Sequence, residues 1–89
     1  TCVGGLVAPC HIDNIKNNPE NRDIKIIGTD MDKMAIGRYL VDNFYKVPYG
    51  FDENYVDEIK KICENENIDI IIPTSDEESL ILSKNKKLF

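Results

Sequence analysis

Residues 68–72 read Ile-Asp-Ile-Ile-Ile and run directly into Pro73. A run this short, β-branched and nearly uninterrupted suits a strand covered on both faces. Pro73 ends it, because proline has no amide to give to a ladder. Ile24-Lys25-Ile26-Ile27-Gly28-Thr29 has the same character, and Phe44-Tyr45-Lys46-Val47-Pro48 reads as a weaker third strand. Helical stripes alternate with these runs. Ala8, Ile12 and Ile15 recur at i, i+4, i+7; Ala35, Ile36, Tyr39 and Leu40 make a second stripe; Val56, Ile59, Ile62 and Cys63 make a third. Leu80, Ile81 and Leu88 mark a fourth, after Ser75-Asp76-Glu77-Glu78, where a serine or aspartate cap and acids suit a helix start. Strands separated by helices of this length predict right-handed crossovers, a parallel sheet and helices on both of its faces. The expected fold class is therefore a Rossmann-like, doubly wound α/β domain.

The glycine turn Gly4-Gly5 precedes the first helix, and such a turn normally follows a strand. None stands before Thr1. In a doubly wound order that strand would lie in the middle of the sheet, between residues 24–29 and 68–72. With 89 residues the chain makes one domain, residues 1–89. It begins without methionine and stops in the helix-like Lys84-Asn85-Lys86-Lys87-Leu88-Phe89, so the expectation is a piece of a larger protein, marginal in isolation.

Charge narrows the partners. Eleven basic against 16 acidic side chains leave a net charge of −5, which argues against nucleic acid and against anionic membrane, both of which select a basic face. No apolar run reaches the roughly 18 residues of a spanning helix. Three cysteines, an odd number, point to a reducing compartment, and a cytoplasmic location is expected.

Several clusters invite a chemical reading. Free amides at Gly4-Gly5, before a helix, suit an anion, although the turn is not a full G-x-G-x-x-G; a purely structural turn is the other reading. Asp30 ends a strand where dinucleotide-binding folds place an acid on ribose hydroxyls, or else Asp30 or Asp32 caps the next helix. Asp76, Glu77 and Glu78 offer oxygens to a hard cation, or serve as cap and dipole partners of their own helix. Cys2, Cys10 and His11 have poor spacing for zinc, and adjacent Cys10 and His11 would point about 100° apart on a helix. Glu53, Asp57, Glu58, Glu64 and Glu66 read as a solvated acidic face.

Ile26-Ile27-Gly28-Thr29-Asp30-Met31-Asp32, Ala35-Ile36-Gly37, Tyr39-Leu40-Val41-Asp42, Val47-Pro48 and Ile68-Asp69-Ile70-Ile71-Ile72-Pro73-Thr74-Ser75-Asp76-Glu77-Glu78 together resemble the N-terminal, pre-ATP-grasp domain of ATP-grasp ligases. Within that superfamily the likeness is to the carbamoyl-phosphate-synthase-like group, whose leading strand enters a Thr-Gly-x-Gly-Gly turn. Thr1, Gly4 and Gly5 match that turn; Cys2 stands at its first glycine, and Leu6-Val7-Ala8-Pro9 departs from the usual small residues. The resemblance implies a parent enzyme that activates a carboxylate with ATP and joins it to an amine or ammonia. It also implies that the ATP and magnesium sites lie in downstream domains of the same chain, leaving no catalytic, cofactor or metal residue here. In open α/β sheets ligands gather beyond the carboxyl ends of the strands. That edge would collect Gly4, Gly5, Asp30, Thr74, Ser75, Asp76 and Glu77 as a wall facing a small carboxylate or amine substrate. The alternative is a Rossmann-like nucleotide-binding regulatory or protein-interaction module without enzyme activity.

Overall fold

The structure is a computed structural model covering residues 1–89. Its first helix, α1 (Ala8–Lys16), carries a proline in its opening turn, where the missing amide has no helical partner to lose. Ala8 and Ile12 are buried and Ile15 half-buried, so the i, i+4, i+7 stripe is the packed face. Asn17 closes the helix by donating its backbone amide to the Asp13 carbonyl. The following loop winds around Asn18, whose side-chain amide donates to the carbonyls of Ile15 (3.0 Å) and Arg22 (2.9 Å). Its Oδ1 accepts from the Arg22 amide at 2.8 Å.

Strands β1 (Ile27–Asp30) and β2 (Asn43–Lys46) pair in parallel, in the register Ile27↔Asn43 to Asp30↔Lys46. The ladder starts three residues later than the apolar run suggests. Ahead of it, the Ile26 amide donates to Asp42 Oδ2 (2.7 Å) and the Ile26 carbonyl accepts from the Asp42 amide (2.9 Å). That exchange fixes where the two chains meet.

The expected second helix is replaced by a short 3-10 turn, Ile36–Tyr39, in which Ile36 and Tyr39 are 74% and 73% exposed. Ala35 is extended (φ −52°, ψ 131°), and Gly37 is buried against the backbone of Val3. Only Ala35 and Gly37 of this segment reach the interior. A backbone-to-backbone contact therefore took precedence over the apolar stripe.

Helix α2 (Tyr55–Glu66) buries Tyr55, Ile59 and Ile62 at i, i+4, i+7, with Val56 and Cys63 beside them. Asn67 ends it in the left-handed region (φ 52°), and the amides of Asn67 and Ile68 both donate to the Cys63 carbonyl. Helix α3 (Asp76–Lys84) starts at the Ser75 cap. Its inward residues are Glu78 and Leu82, not Leu80, which is exposed as Leu88 is. The apolar pattern misplaced this face because one of its two anchors is a carboxylate.

Residues 68–73 form neither helix nor ladder, and the chain bends at Asp69. Their sole backbone partner on the sheet side is Thr1, whose nitrogen donates to the Ile72 carbonyl at 2.8 Å. Ile70 is 76% exposed and Ile72 46%, and only Ile71 packs against the core. The expected strand, covered on both faces, is thus covered on one. Without a hydrogen-bonded neighbour along its length, the segment keeps one row of isoleucines in water.

Two apolar clusters result. Val47, Tyr55, Ile59, Ile62 and Leu82 form one, with Ile27 and Tyr45 packed on it; Val3, Ala8, Ile12 and Ala35 form the other, with Ile26 and Phe44. Adjacent strand residues face opposite ways, so the clusters lie on opposite sides of the sheet. The whole is a small α/β unit with a two-stranded parallel sheet and three α-helices, compatible with a partial Rossmann-like domain. Truncation should report these positions directly. Ile59→Ala is expected to cost about 2–5 kcal/mol, whereas Ile70→Ala should stay within about 0.5 kcal/mol. Equal urea midpoints for the two variants would contradict the arrangement.

Candidate functional site

β1 ends in Asp30, and α3 begins immediately after Thr74 and Ser75. Between these two points lies a small pocket of about 90 Å³, lined by Cys2, Asp30, Gly50, Ser75, Glu77 and Glu78 among others. Asp30 is held by both of its oxygens. Oδ2 accepts from the Gly4 amide and Oδ1 from the Asp32 amide, each at 2.9 Å. Asp32 repeats the device one step on, with Oδ1 accepting from the Met34 amide at 2.9 Å. These are side-chain-closed turns; neither acid caps a helix.

On the opposite wall Ser75 is the cap of α3. Its Oγ accepts from the Glu78 amide (3.3 Å) and donates to Glu78 Oε1 (2.9 Å). The Tyr55 hydroxyl, reaching across from the start of α2, donates to Glu78 Oε2. Glu78 is buried, and both its oxygens are satisfied by neutral donors. Burial, and secondarily the Glu78 carboxylate, push the Tyr55 phenol above its ordinary range. Burial likewise raises the Cys2 thiol, with Asp30 and Glu78 adding to the effect. A thiol in that setting stays protonated at neutral pH and is a poor nucleophile.

Pro48, Tyr49 and Gly50 complete the pocket. A Cβ on Gly50 would lie 3.2 Å from Glu77 Cβ and 3.3 Å from the Glu78 nitrogen, so the turn rests on the first turn of α3. Three carboxylates and no basic side chain line the space, which suits a small cationic group. No group of three or more His, Cys, Asp or Glu side chains is arranged to hold a metal ion.

Of the residues expected at this edge, Asp30, Ser75 and Glu77 line the pocket. Gly4 adjoins it through Asp30, and Thr74 donates its hydroxyl to the Thr1 carbonyl at 2.7 Å. The anion-cradling amides are not free: Gly4 donates to Asp30, and Gly5 to the Cys2 carbonyl at 3.0 Å. Asp76 opens α3 on its solvent side, exposed and outside the pocket. Cys2, Gly50, Tyr55 and Glu78 complete the site. The Ser75-x-x-Glu78 spacing of a capping box was a usable signal for Glu78; nothing in the sequence pairs Tyr55 with it. A larger cleft of about 430 Å³, between α2 and the C-terminal residues, is lined by Cys63, Ile71, Leu82 and Phe89 with Lys60 and Lys86. It is mainly an uncovered edge of the core.

The profile described as PylC-like, N-terminal domain, matches residues 11–89. The chain belongs to this family. No curated protein and no solved structure matches it. A PylC-like N-terminal domain is of the pre-ATP-grasp type, which identifies the chain as the N-terminal part of an ATP-grasp ligase. Asp30 and residues 74–78 fall inside the matched span; the turn at Thr1, Gly4 and Gly5 precedes it.

Proposed function

We propose that this PylC-like N-terminal domain forms the substrate-side wall of a carboxylate–amine or carboxylate–ammonia ligase, of the carbamoyl-phosphate-synthase-like kind. ATP and magnesium would be held by downstream domains of the same chain, and the complete sheet would be doubly wound. The observation that carries the reading is the acid-lined pocket beyond β1, which Asp30, Glu77 and Glu78 line with no basic side chain among them. Glu77 is the acid there with no hydrogen-bonded partner of its own, so it is the group available to hold an ammonium by a charge-assisted hydrogen bond. Phosphoryl transfer rests on positioning, metal ions and cationic stabilisation, which on this reading the downstream domains provide. The domain acts in the cytoplasm on this reading, with a small carboxylate or amine as its ligand.

In the parent ligase, Glu77→Gln is expected to raise the KM of the amine substrate about tenfold and leave the KM for ATP unchanged. Asp76→Asn, on the solvent side, should change neither. A rise in the ATP KM alone would turn the wall toward the nucleotide. Calorimetry on the isolated domain should show no micromolar ATP binding, and such binding would overturn the assignment of the nucleotide site to other domains. The regulatory nucleotide-binding alternative leans on Asp30 and a ribose. Both Asp30 oxygens already accept backbone amides, so the acid is less available than that role requires, and NADH fluorescence titration tests it.

A further inference from the structure

Three carboxylates line the pocket, and their hydrogen bonds divide them by role. Both Asp30 oxygens accept from backbone amides, and both Glu78 oxygens accept from hydroxyls, those of Ser75 and Tyr55. Glu77 alone has no such partner. Where Glu77 points follows from the rotation of α3 about its axis, because successive helical side chains lie about 100° apart. That rotation is held at two places. The inward residues of α3 are Glu78 and Leu82, one turn apart on the same face. Leu82 packs with Val47, Tyr55, Ile59 and Ile62, and apolar packing is non-directional. Glu78 supplies the direction, through two hydroxyls in fixed places. One belongs to the cap residue of α3 itself. The other belongs to Tyr55 at the start of α2, which has no exposed surface and is seated in the same apolar cluster. The first turn of a helix needs such an outside anchor, since its leading amides have no intrahelical partner. The same turn also rests on Gly50, where a Cβ would lie 3.2 Å from both Glu77 Cβ and Glu78 Cγ.

We infer that Tyr55 and Glu78 are positioning residues, which hold the first turn of α3 so that Glu77 presents its free carboxylate to the amine. The inference rests on the reading of Glu77 as the acid that holds an ammonium. It gives Glu78 no share in holding the ligand, although Glu78 lines the pocket beside it. Tyr55 is outside the pocket lining, so its effect on a ligand passes through Glu78 and the helix turn. The cost of the arrangement supports a directional role. A carboxylate only 9% exposed gives up most of its hydration, and an apolar side chain of similar size would pack there without that cost. Packing alone would fix the distance of α3 from the core and leave its rotation looser.

The test is kinetic and uses the parent ligase. Tyr55→Phe is expected to raise the KM of the amine substrate about three- to tenfold and to leave the KM for ATP unchanged. A loss of folded protein would instead lower the rate at saturation and leave both KM values alone. In a Glu77→Gln background, Tyr55→Phe should raise the amine KM no further, because the group it aims is gone. An equal rise in both backgrounds would overturn the inference. Glu78→Gln keeps an acceptor for the phenol and an NH₂ group for the Ser75 oxygen, so it should raise the amine KM less than Tyr55→Phe does. A rise as large as that of Glu77→Gln would make Glu78 a ligand-holding charge and overturn the inference. That comparison stands even if Tyr55→Phe does not fold. An unchanged amine KM in Tyr55→Phe overturns the positioning role alone where Glu77→Gln still raises it. Where Glu77→Gln is silent as well, the reading of the pocket falls with it.

Discussion

Gly37→Ala should leave the domain without a cooperative unfolding transition. A Cβ at this position would stand 2.0 Å from the Val3 carbonyl oxygen and 2.7 Å from its carbon. Both are backbone atoms, so no rotamer change relieves the overlap. Moving Val3 would break its bond to Thr29 and pull its side chain from the cluster with Ala8, Ile12 and Ala35. A domain this small has roughly 0.05–0.15 kcal/mol of stability per residue, and a forced backbone shift with loss of a core contact costs about 4 kcal/mol or more. Gly28→Ala is the control. Its Cβ would meet methyl groups of Val3 and Val41 at 3.0 Å, which can rotate, and a cost of about 1–3 kcal/mol is expected. Urea melts of the two variants check the contrast, and a Gly37→Ala midpoint equal to that of the unaltered chain would refute the contact.

Tyr55→Phe is expected to destabilise the domain by about 1–3 kcal/mol, although it removes one oxygen atom from a residue with no exposed surface. The lost hydroxyl is one of the two side-chain donors that satisfy Glu78. Without it a buried carboxylate oxygen has no partner, and that penalty exceeds the net gain of an ordinary hydrogen bond. The same pair gives a pH signature. Because the folded-state phenol titrates above its ordinary value, folding favours the protonated form. The associated stability is fully present below about pH 10 and falls as pH rises, when the unfolded chain alone releases the proton. The fall approaches about 1.4 kcal/mol per pH unit. Tyr55→Phe should lack that alkaline increment, so the stabilities of the two proteins should converge between pH 10 and 11. Parallel curves across that range would show that the phenol is not buried against Glu78.

What the sequence disclosed follows the range of the forces involved. The stripes of α1 and α2 were legible because each is a local repeat with a simple solvent face; the parallel sense of β1 and β2 was expected from an intervening helix, where the chain has only the 3-10 turn Ile36–Tyr39. The segment around Gly37 was not legible, since the contact that decides it joins residues 34 positions apart. The inner face of α3 was obscured for another reason: a hydropathy pattern counts Glu78 as surface, and only the Tyr55 and Ser75 hydroxyls make its burial tolerable. Residues 68–73 show the converse. Their composition indicates a strand, but composition cannot supply the neighbour that would turn it into a ladder, and none forms. At the candidate site, the sheet-edge argument located Asp30, Ser75 and Glu77 together, while the amides of Gly4 and Gly5 proved to be engaged internally.

The double acceptance at Asp30 has a consequence for how the pocket moves. One carboxylate fixes the turn before α1 and the turn after β1 at the same time, so these two loops have a single mechanical joint. An asparagine there would keep one acceptor and present an NH₂ group to the other amide, setting donor against donor. One wall would be released whichever way the amide turned. The last residue of β1 therefore works as a rivet through two plates, and the shape of the pocket mouth is inherited from it as a unit.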